Sequence, residues 1–277
     1  MRIHLNVARS LFALLSLATA FAQQPSLNYY RVNFIKAKPG TIADNEAFMK
    51  KNITALAQAD IKEGRMVSWG YTRVVSPTGT TVNHDLMTFT GYEKWEQLEP
   101  TSGTPEFLKA VYKSLGFASP ADFGAKLAAM RDVTRSEIWH LATGTAPTPD
   151  TKPKAGEYVV VSYLKTMPGK TAEYLDIWKK YSLPLQEDRI KAGHLKSYTM
   201  WTVGGSGSGS QYDVVSLSRF ADFKDIPAGE GAGTPAGNAA ADRIHAGKDW
   251  RQMRRDMQAL RTPVRSEIVQ IRARESK

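Results

Sequence analysis

The sequence predicts an α+β fold made of two tandem β-α-β-β-α-β units. Three observations carry that prediction. Residues 29–68 laid over residues 158–197, a shift of 129 with no gap, give thirteen identities in forty positions. Ordinary residue frequencies would give roughly two or three. The tetrapeptide Arg135-Ser136-Glu137-Ile138 returns letter for letter as Arg265-Ser266-Glu267-Ile268. Between the copies, residues 143–153 hold three prolines among small polar residues, a composition that makes an extended linker. The expected organisation is a first unit over residues 23–142, a linker over 143–156 and a second unit over 157–277, behind a leader of residues 1–22.

Each element is justified in both copies. Tyr29 to Lys36 and Tyr158 to Lys165 are rich in strand formers. Pro39-Gly40 and Pro168-Gly169 break those strands. Residues 42–63 and 171–192 then read as helices, the second with Ile177, Trp178, Tyr181 and Leu185 on one face. Pro184 falls inside that helix and is expected to kink it. Gly64 and Gly193 suit the left-handed residue that ends a helix. Two strands follow in each copy, 66–75 with 85–90 and 195–203 with 213–218, joined by polar hairpin loops at 76–80 and 204–210. Asp85-Leu86-Met87-Thr88-Phe89 faces Asp213-Val214-Val215-Ser216-Leu217 in this part of the repeat. A second helical region leads to a closing strand, 133–141 or 264–272. The order is that of the ferredoxin-like motif, two helices over one face of a four-stranded antiparallel sheet.

The other face of each sheet also needs cover. In the first strand Tyr30, Val32 and Phe34 make one face, and Tyr29, Arg31, Asn33 and Ile35 the other. In its repeat Val159, Val161 and Tyr163 oppose Tyr158, Val160, Ser162 and Leu164. Sheets apolar on both sides are covered on both sides, so the two sheets are predicted to pack face to face within one chain. The face carrying Arg31 and Asn33 is assigned to the interior.

The N-terminus has the three regions of a secretory signal: Arg2 and Arg9 without an acid, an apolar run over 11–18, and Ala20-Phe21-Ala22 before Gln23. The run is shorter than the ~20 residues that span a bilayer. The expected protein is periplasmic or secreted, with no membrane anchor after cleavage. With no cysteine, disulfides, thiol nucleophiles and thiolate-bound metals are excluded. The net charge of +10 falls to +8 when Arg2 and Arg9 leave. Its basic residues are scattered among acids, and the densest group, Arg251 to Arg255, suits a solvated helix face. No nucleic-acid partner is expected.

Motifs for established chemistry are absent. The chain has no H-E-x-x-H, no G-x-S-x-G and no Walker loop. The glycine run over 204–209 precedes a strand instead of a helix, so it lacks the helix N-terminus that holds phosphate. His84, His140, His194 and His245 show no close metal-ligand spacing, and no metal site is expected. His140, beside Trp139 in the closing strand, is a candidate pocket acid or base, and His194, directly after Gly193 at the entry to a strand, is the other catalytic candidate. Arg135 with Glu137, like Arg265 with Glu267, lie two apart on a strand and share a face. They either line a pocket or make ion pairs that set strand register. Arg31, Asn33, Tyr71, Arg135 and Glu137 are the candidates for a ligand-binding wall. Trp69, Tyr198 and Trp201 could add aromatic surface.

Duplicated units with Pro-Gly after the first strand, and a helix ending in glycine, resemble the dimeric α+β barrel superfamily. The likeness is greatest to NIPSNAP-like and EthD-like proteins, here in tandem form. The resemblance implies an intrachain α+β barrel. It also implies a range of activities, from cofactor-free monooxygenases to haem enzymes, and so makes haem a cofactor to test, with His194 as its axial ligand. Three functions stand open: binding of a small molecule in a barrel pocket, an oxygenase-like or haem-dependent enzyme, and a non-catalytic interaction module. A monomer or a homodimer is expected, because a tandem chain can satisfy within itself the pairing that single units obtain by dimerising.

Overall fold

The structure is a computed structural model that describes residues 27–79, 83–99, 105–145, 152–204, 211–229 and 234–277. The expected leader of residues 1–22 lies outside these residues, as does most of the glycine-rich loop after Gly204.

The first unit contains β1 (Tyr29–Ala37), α1 (Ile42–Phe48), a π-helical turn (Met49–Ile53), α2 (Thr54–Lys62), β2 (Ser68–Gly79), β3 (Leu86–Tyr92), α3 (Pro105–Ser114), α4 (Pro120–Met130) and β4 (Arg131–Gly144). The second contains β5 (Tyr158–Thr166), α5 (Thr171–Lys191), β6 (Ser197–Gly204), β7 (Val214–Phe220), α6 (Ile226–Gly229), α7 (Pro235–Ile244), α8 (Trp250–Ala259) and β8 (Arg261–Ser276). The β-α-β-β-α-β order is present twice. Gly64 and Gly193 close the long helical stretches at φ 74° and 78°, where a side chain would be strained.

Within each unit the strand order is the ferredoxin-like one, β4-β1-β3-β2 and β8-β5-β7-β6. The units join edge to edge through β2–β8 and β4–β6, so that eight antiparallel strands close into one barrel. The two sheets do share an interior; hydrogen bonding along two seams is what encloses it. An eight-stranded barrel is just wide enough for side chains to fill. Tyr30, Val32, Phe34, Met87, Phe89, Trp139, Val161, Tyr163, Trp201, Val215 and Val269 do so here. The helices pack outside, Trp178 and Tyr181 of α5 against Val160, Leu164 and Tyr198.

Two differences from the sequence expectation follow from the seams. β2 runs on to Gly79, because Ser76 to Gly79 pair with Ile268 to Arg265. β4 and β8 begin and end beyond the expected 133–141 and 264–272, since each pairs with one strand of its own unit and one of the other. The third difference concerns face. Tyr30, Val32 and Phe34 point into the barrel, while Ile35 packs outside with Met49, Trp69 and Tyr71. Arg31 and Asn33 therefore sit on the helix side, the reverse of the assignment made from sequence. Both parities of the strand are apolar, so alternation alone did not separate inside from outside.

Candidate functional site

The repeated Arg-Ser-Glu segment enters the barrel from two opposite strands. Glu137 on β4 and Glu267 on β8 are essentially fully buried. Glu137 accepts hydrogen bonds from Tyr212 Oη at 2.8 and 2.9 Å and from Trp139 Nε1 at 2.7 Å. Arg135 Nε lies 3.0 Å from it. Glu267 lies 3.0 Å from His84 Nε2 and 2.7 Å from Arg265 Nε, and accepts from Tyr163 Oη at 3.4 Å. Each guanidinium covers a ring: Arg135 stands 4.0 Å from the Phe34 centroid, Arg265 4.1 Å from that of Tyr163.

This cluster has the symmetry of the duplication. Phe34 and Tyr163 are repeat partners, as are Arg135 and Arg265, and Glu137 and Glu267. His84 and Tyr212 each stand immediately before the repeated aspartate, Asp85 or Asp213. The carboxylate of each unit is held by the ring donor of the other, Glu137 by Tyr212 and Glu267 by His84. Burial, with the neighbouring Glu267 charge, pushes the Tyr163 phenol well above its ordinary range. Burial also raises Tyr212, reinforced by Tyr163, Glu137 and the hydrogen bond it donates. Both phenols therefore stay protonated as donors. The arrangement neutralises two buried carboxylates and ties the halves together.

A second open space lies elsewhere, between the outer face of the second unit's sheet and α5, α7 and α8. It is a cavity of about 1160 Å³, at or above the ~300–1,000 Å³ of small-molecule sites. Its aromatic wall is Tyr174, Trp178, Tyr181 and Tyr198, all buried, with the rings of Trp178 and Tyr198 stacked at 4.9 Å. The sheet floor carries only small side chains at Ser162, Ser216 and Ser218. At two of these positions the first unit has Asn33 and Thr88, hydrogen-bonded to each other. Around the rim are Arg189, Arg243, Arg254, Arg261 and His194, with Asp188. Asp188 is paired with Arg243 at 2.8 Å. Arg254 and Arg261 have no carboxylate partner among the described residues, and Arg261 Nε is buried without an acceptor. Burial pushes the Tyr174 phenol up to about 12, opposed by the nearby Arg261 charge.

The residues singled out from sequence do not converge on one wall. Arg135 and Glu137 point into the barrel. Arg31 lies outside it, donating to the carbonyl of Leu98 and standing over the Tyr92 ring. Asn33 is bonded to Thr88 and Ser136 on the same outer side. Tyr71 is buried beneath α1, donating to the Glu46 carbonyl at 3.3 Å. His140 is exposed and stacked on Tyr29 at 5.1 Å. His194 is exposed at the rim of the helix-side cavity. Among the described residues no three His, Asp or Glu side chains form a metal-ligand set. Sequence reasoning passed over His84, Tyr163 and Tyr212. The signal was present in the repeat, since His84 and Tyr212 occupy the same place before the aligned aspartates.

Compared by sequence, the chain matches no family model and no curated protein. Compared by structure, it resembles a candidate monooxygenase from Lactobacillus acidophilus, with TM-score 0.53 and 8% identity over 91% of this chain and 97% of that one. A second candidate monooxygenase, from Fusobacterium nucleatum, gives TM-score 0.53 and 10% identity over 91% and 95% of the two chains. The encapsulated DyP-type peroxidase of Mycobacterium smegmatis gives 0.50 and 9% over 91% and 94%. These likenesses span nearly the whole of each chain and concern the fold alone, an α+β barrel of ferredoxin-like units.

Proposed function

We propose that the protein binds a small amphipathic molecule, with an aromatic or otherwise planar body and an anionic group, in the helix-side cavity of the second unit. The observation that carries this reading is the pairing of a buried aromatic wall with Arg261, whose Nε is buried and unpartnered. A buried polar group without a partner is costly. A carboxylate or sulfonate would satisfy it with charge-assisted hydrogen bonds, while the body packed on Trp178 and Tyr198. The test is a titration with 1-anilinonaphthalene-8-sulfonate, read by dye fluorescence. Arg261→Met and Arg254→Met should each weaken binding about tenfold or more. Unchanged affinity in both variants would sink the reading.

A second reading, an oxygenase-like or haem-dependent enzyme, draws on His194 at the rim of the same cavity. His194 would hold a haem there and Arg254 and Arg261 its carboxylates, and the group would supply redox chemistry. His194 is exposed, which places the imidazole at the margin of the space instead of at its centre. Haem titration followed by the Soret band decides this reading, which requires a spectral shift lost in His194→Ala. For localisation, the proposal is export: protein recovered from the periplasm or medium should have an intact mass beginning at Gln23.

A further inference from the structure

The barrel has its own opening, at the end where β2 and β8 begin and finish. A cavity of about 260 Å³ enters there, lined by Tyr30, Phe89, Val159, Trp201, Leu217 and Val269 among others. Its floor is an aromatic layer. Tyr30 touches Trp201 at 4.5 Å and Phe89 at 5.6 Å between ring centroids, and Phe89 meets Trp139 at 5.9 Å. Trp139 in turn donates to Glu137 of the Arg–Glu cluster at 2.7 Å.

Among the described residues, one cation at the mouth stands without a counter-charge. Arg219, which also lines the cavity, is committed to Glu157 at 2.5 Å and to Ser197. Arg274 is different. Its Nη2 donates to Tyr30 Oη at 3.2 Å, its Nε is buried without an acceptor, and it has no carboxylate partner among the described residues. A glycine across the seam leaves room for the Arg274 side chain. Gly70 pairs with Arg274, and a Cβ on Gly70 would meet the Ala273 carbonyl at 2.9 Å and Arg274 Cδ at 3.1 Å. The duplication supplies a control. The corresponding pair in the other seam is Thr199 with Gly144, so that seam closes with glycine where this one has Arg274. Barrel closure therefore does not require the guanidinium.

We infer that the open end of the barrel is a second binding site, for a small carboxylate with a short-chain or monocyclic apolar body. The body would occupy the cavity against Tyr30, Phe89, Trp201 and Val269. The carboxylate would lie on Arg274, satisfying its Nε and adding a charge-assisted bond. The volume is below the ~300–1,000 Å³ of drug-sized pockets, which sets the ligand class at small acids. This site is separate from the helix-side cavity and independent of the reading proposed for it.

Calorimetric titration of the mature protein with hexanoate and with 1-hexanol tests the assignment. Hexanoate should bind about tenfold or more tighter than hexanol, the worth of a hydrogen bond to a charged group. Arg274→Met should abolish that preference while hexanol binding persists. Leu217→Trp, or Val159→Phe if the first variant does not fold, should fill the cavity and abolish binding of both. Arg261→Met, in the other cavity, should leave hexanoate binding unchanged. The inference is overturned if hexanoate does not bind, if Arg274→Met retains the preference, or if Arg261→Met removes it.

Discussion

At the scale of single residues, the barrel core rests on two buried carboxylates. Glu267 is fully buried and serves Arg265, His84 and Tyr163 together. Removing it leaves a guanidinium in an apolar interior, and breaking a buried pair on one side costs about 3–5 kcal/mol. Glu267→Ala should lose that much in denaturant unfolding, and Glu137→Ala a similar amount. A loss under about 1 kcal/mol, the level of an exposed pair, would refute a structural role. The two phenols give a pH dependence. Tyr163 and Tyr212 are raised in the folded state, mainly by burial. The unfolded chain therefore loses these protons first, near pH 10. Stability is undiminished below that pH and falls as pH rises above it. Tyr163→Phe and Tyr212→Phe should each flatten this alkaline limb in unfolding measured from pH 8 to 11. The Arg and Glu of this cluster were legible as same-face pairs two residues apart. Their burial was not, because a strand pattern does not say which face turns inward when both are apolar.

At the scale of elements, a repeated aspartate fastens each hairpin to the first strand of its unit. Asp85 N donates to the Ile35 carbonyl at 2.8 Å, and its carboxylate takes Lys36 Nζ at 2.8 Å and the Ala37 amide at 2.9 Å. Asp213 repeats this with Leu164, Lys165 and the Thr166 amide at 2.9, 2.8 and 3.0 Å. Partial burial works to raise the Asp213 carboxyl. The hydrogen bonds from Lys165 and Thr166, and the Lys165 charge, outweigh it and hold the group below its ordinary value of 3.8. A depressed carboxyl contributes stability above the unfolded value and loses it as pH falls through the folded one. Asp213→Ala should cost about 1 kcal/mol at neutral pH, discounted for exposure, with the difference from the parent shrinking in acid as the lowered carboxyl becomes protonated. A constant difference across that range would mean that the carboxylate charge plays no part. The two long helical stretches differ. α5 runs unbroken through Pro184, whereas the first unit has a π-helical turn at Met49–Ile53. Aligned sequence marked both as helix, since periodicity does not report a single displaced hydrogen bond.

At the scale of the whole molecule, closure joins units that are far apart in sequence. The β2–β8 seam pairs Ser68 to Gly79 with Ser276 to Arg265, and β4–β6 pairs Ile138 to Gly144 with Gly204 to Thr199. Each unit's outer strands are thus edges that only the other unit covers, and uncovered edges seek other partners. Residues 27–145 and 152–277, produced as separate chains in one cell, should co-purify as a one-to-one complex. Each half made alone should self-associate or precipitate. Two well-behaved monomeric halves would show that the seams contribute little. The intact chain should elute as a monomer in light-scattering chromatography, because both seams are satisfied internally.

The sequence by itself determined the duplication, the β-α-β-β-α-β order, the glycine helix ends and the need to cover the second face of each sheet. All of these follow from local composition and from comparing one half with the other. Tertiary structure decided which parity of β1 and β5 turned inward, how far β2, β4 and β8 extended, and that His84 and Tyr212 cross over to the opposite unit's glutamate. It also decided that space opens behind the second sheet, where serines stand on the floor, and at the mouth beside Gly70. The physical reason is common to these cases. Residue type sets what a position can do, but cavities, seams and buried ion pairs depend on side chains brought together from strands far apart along the chain.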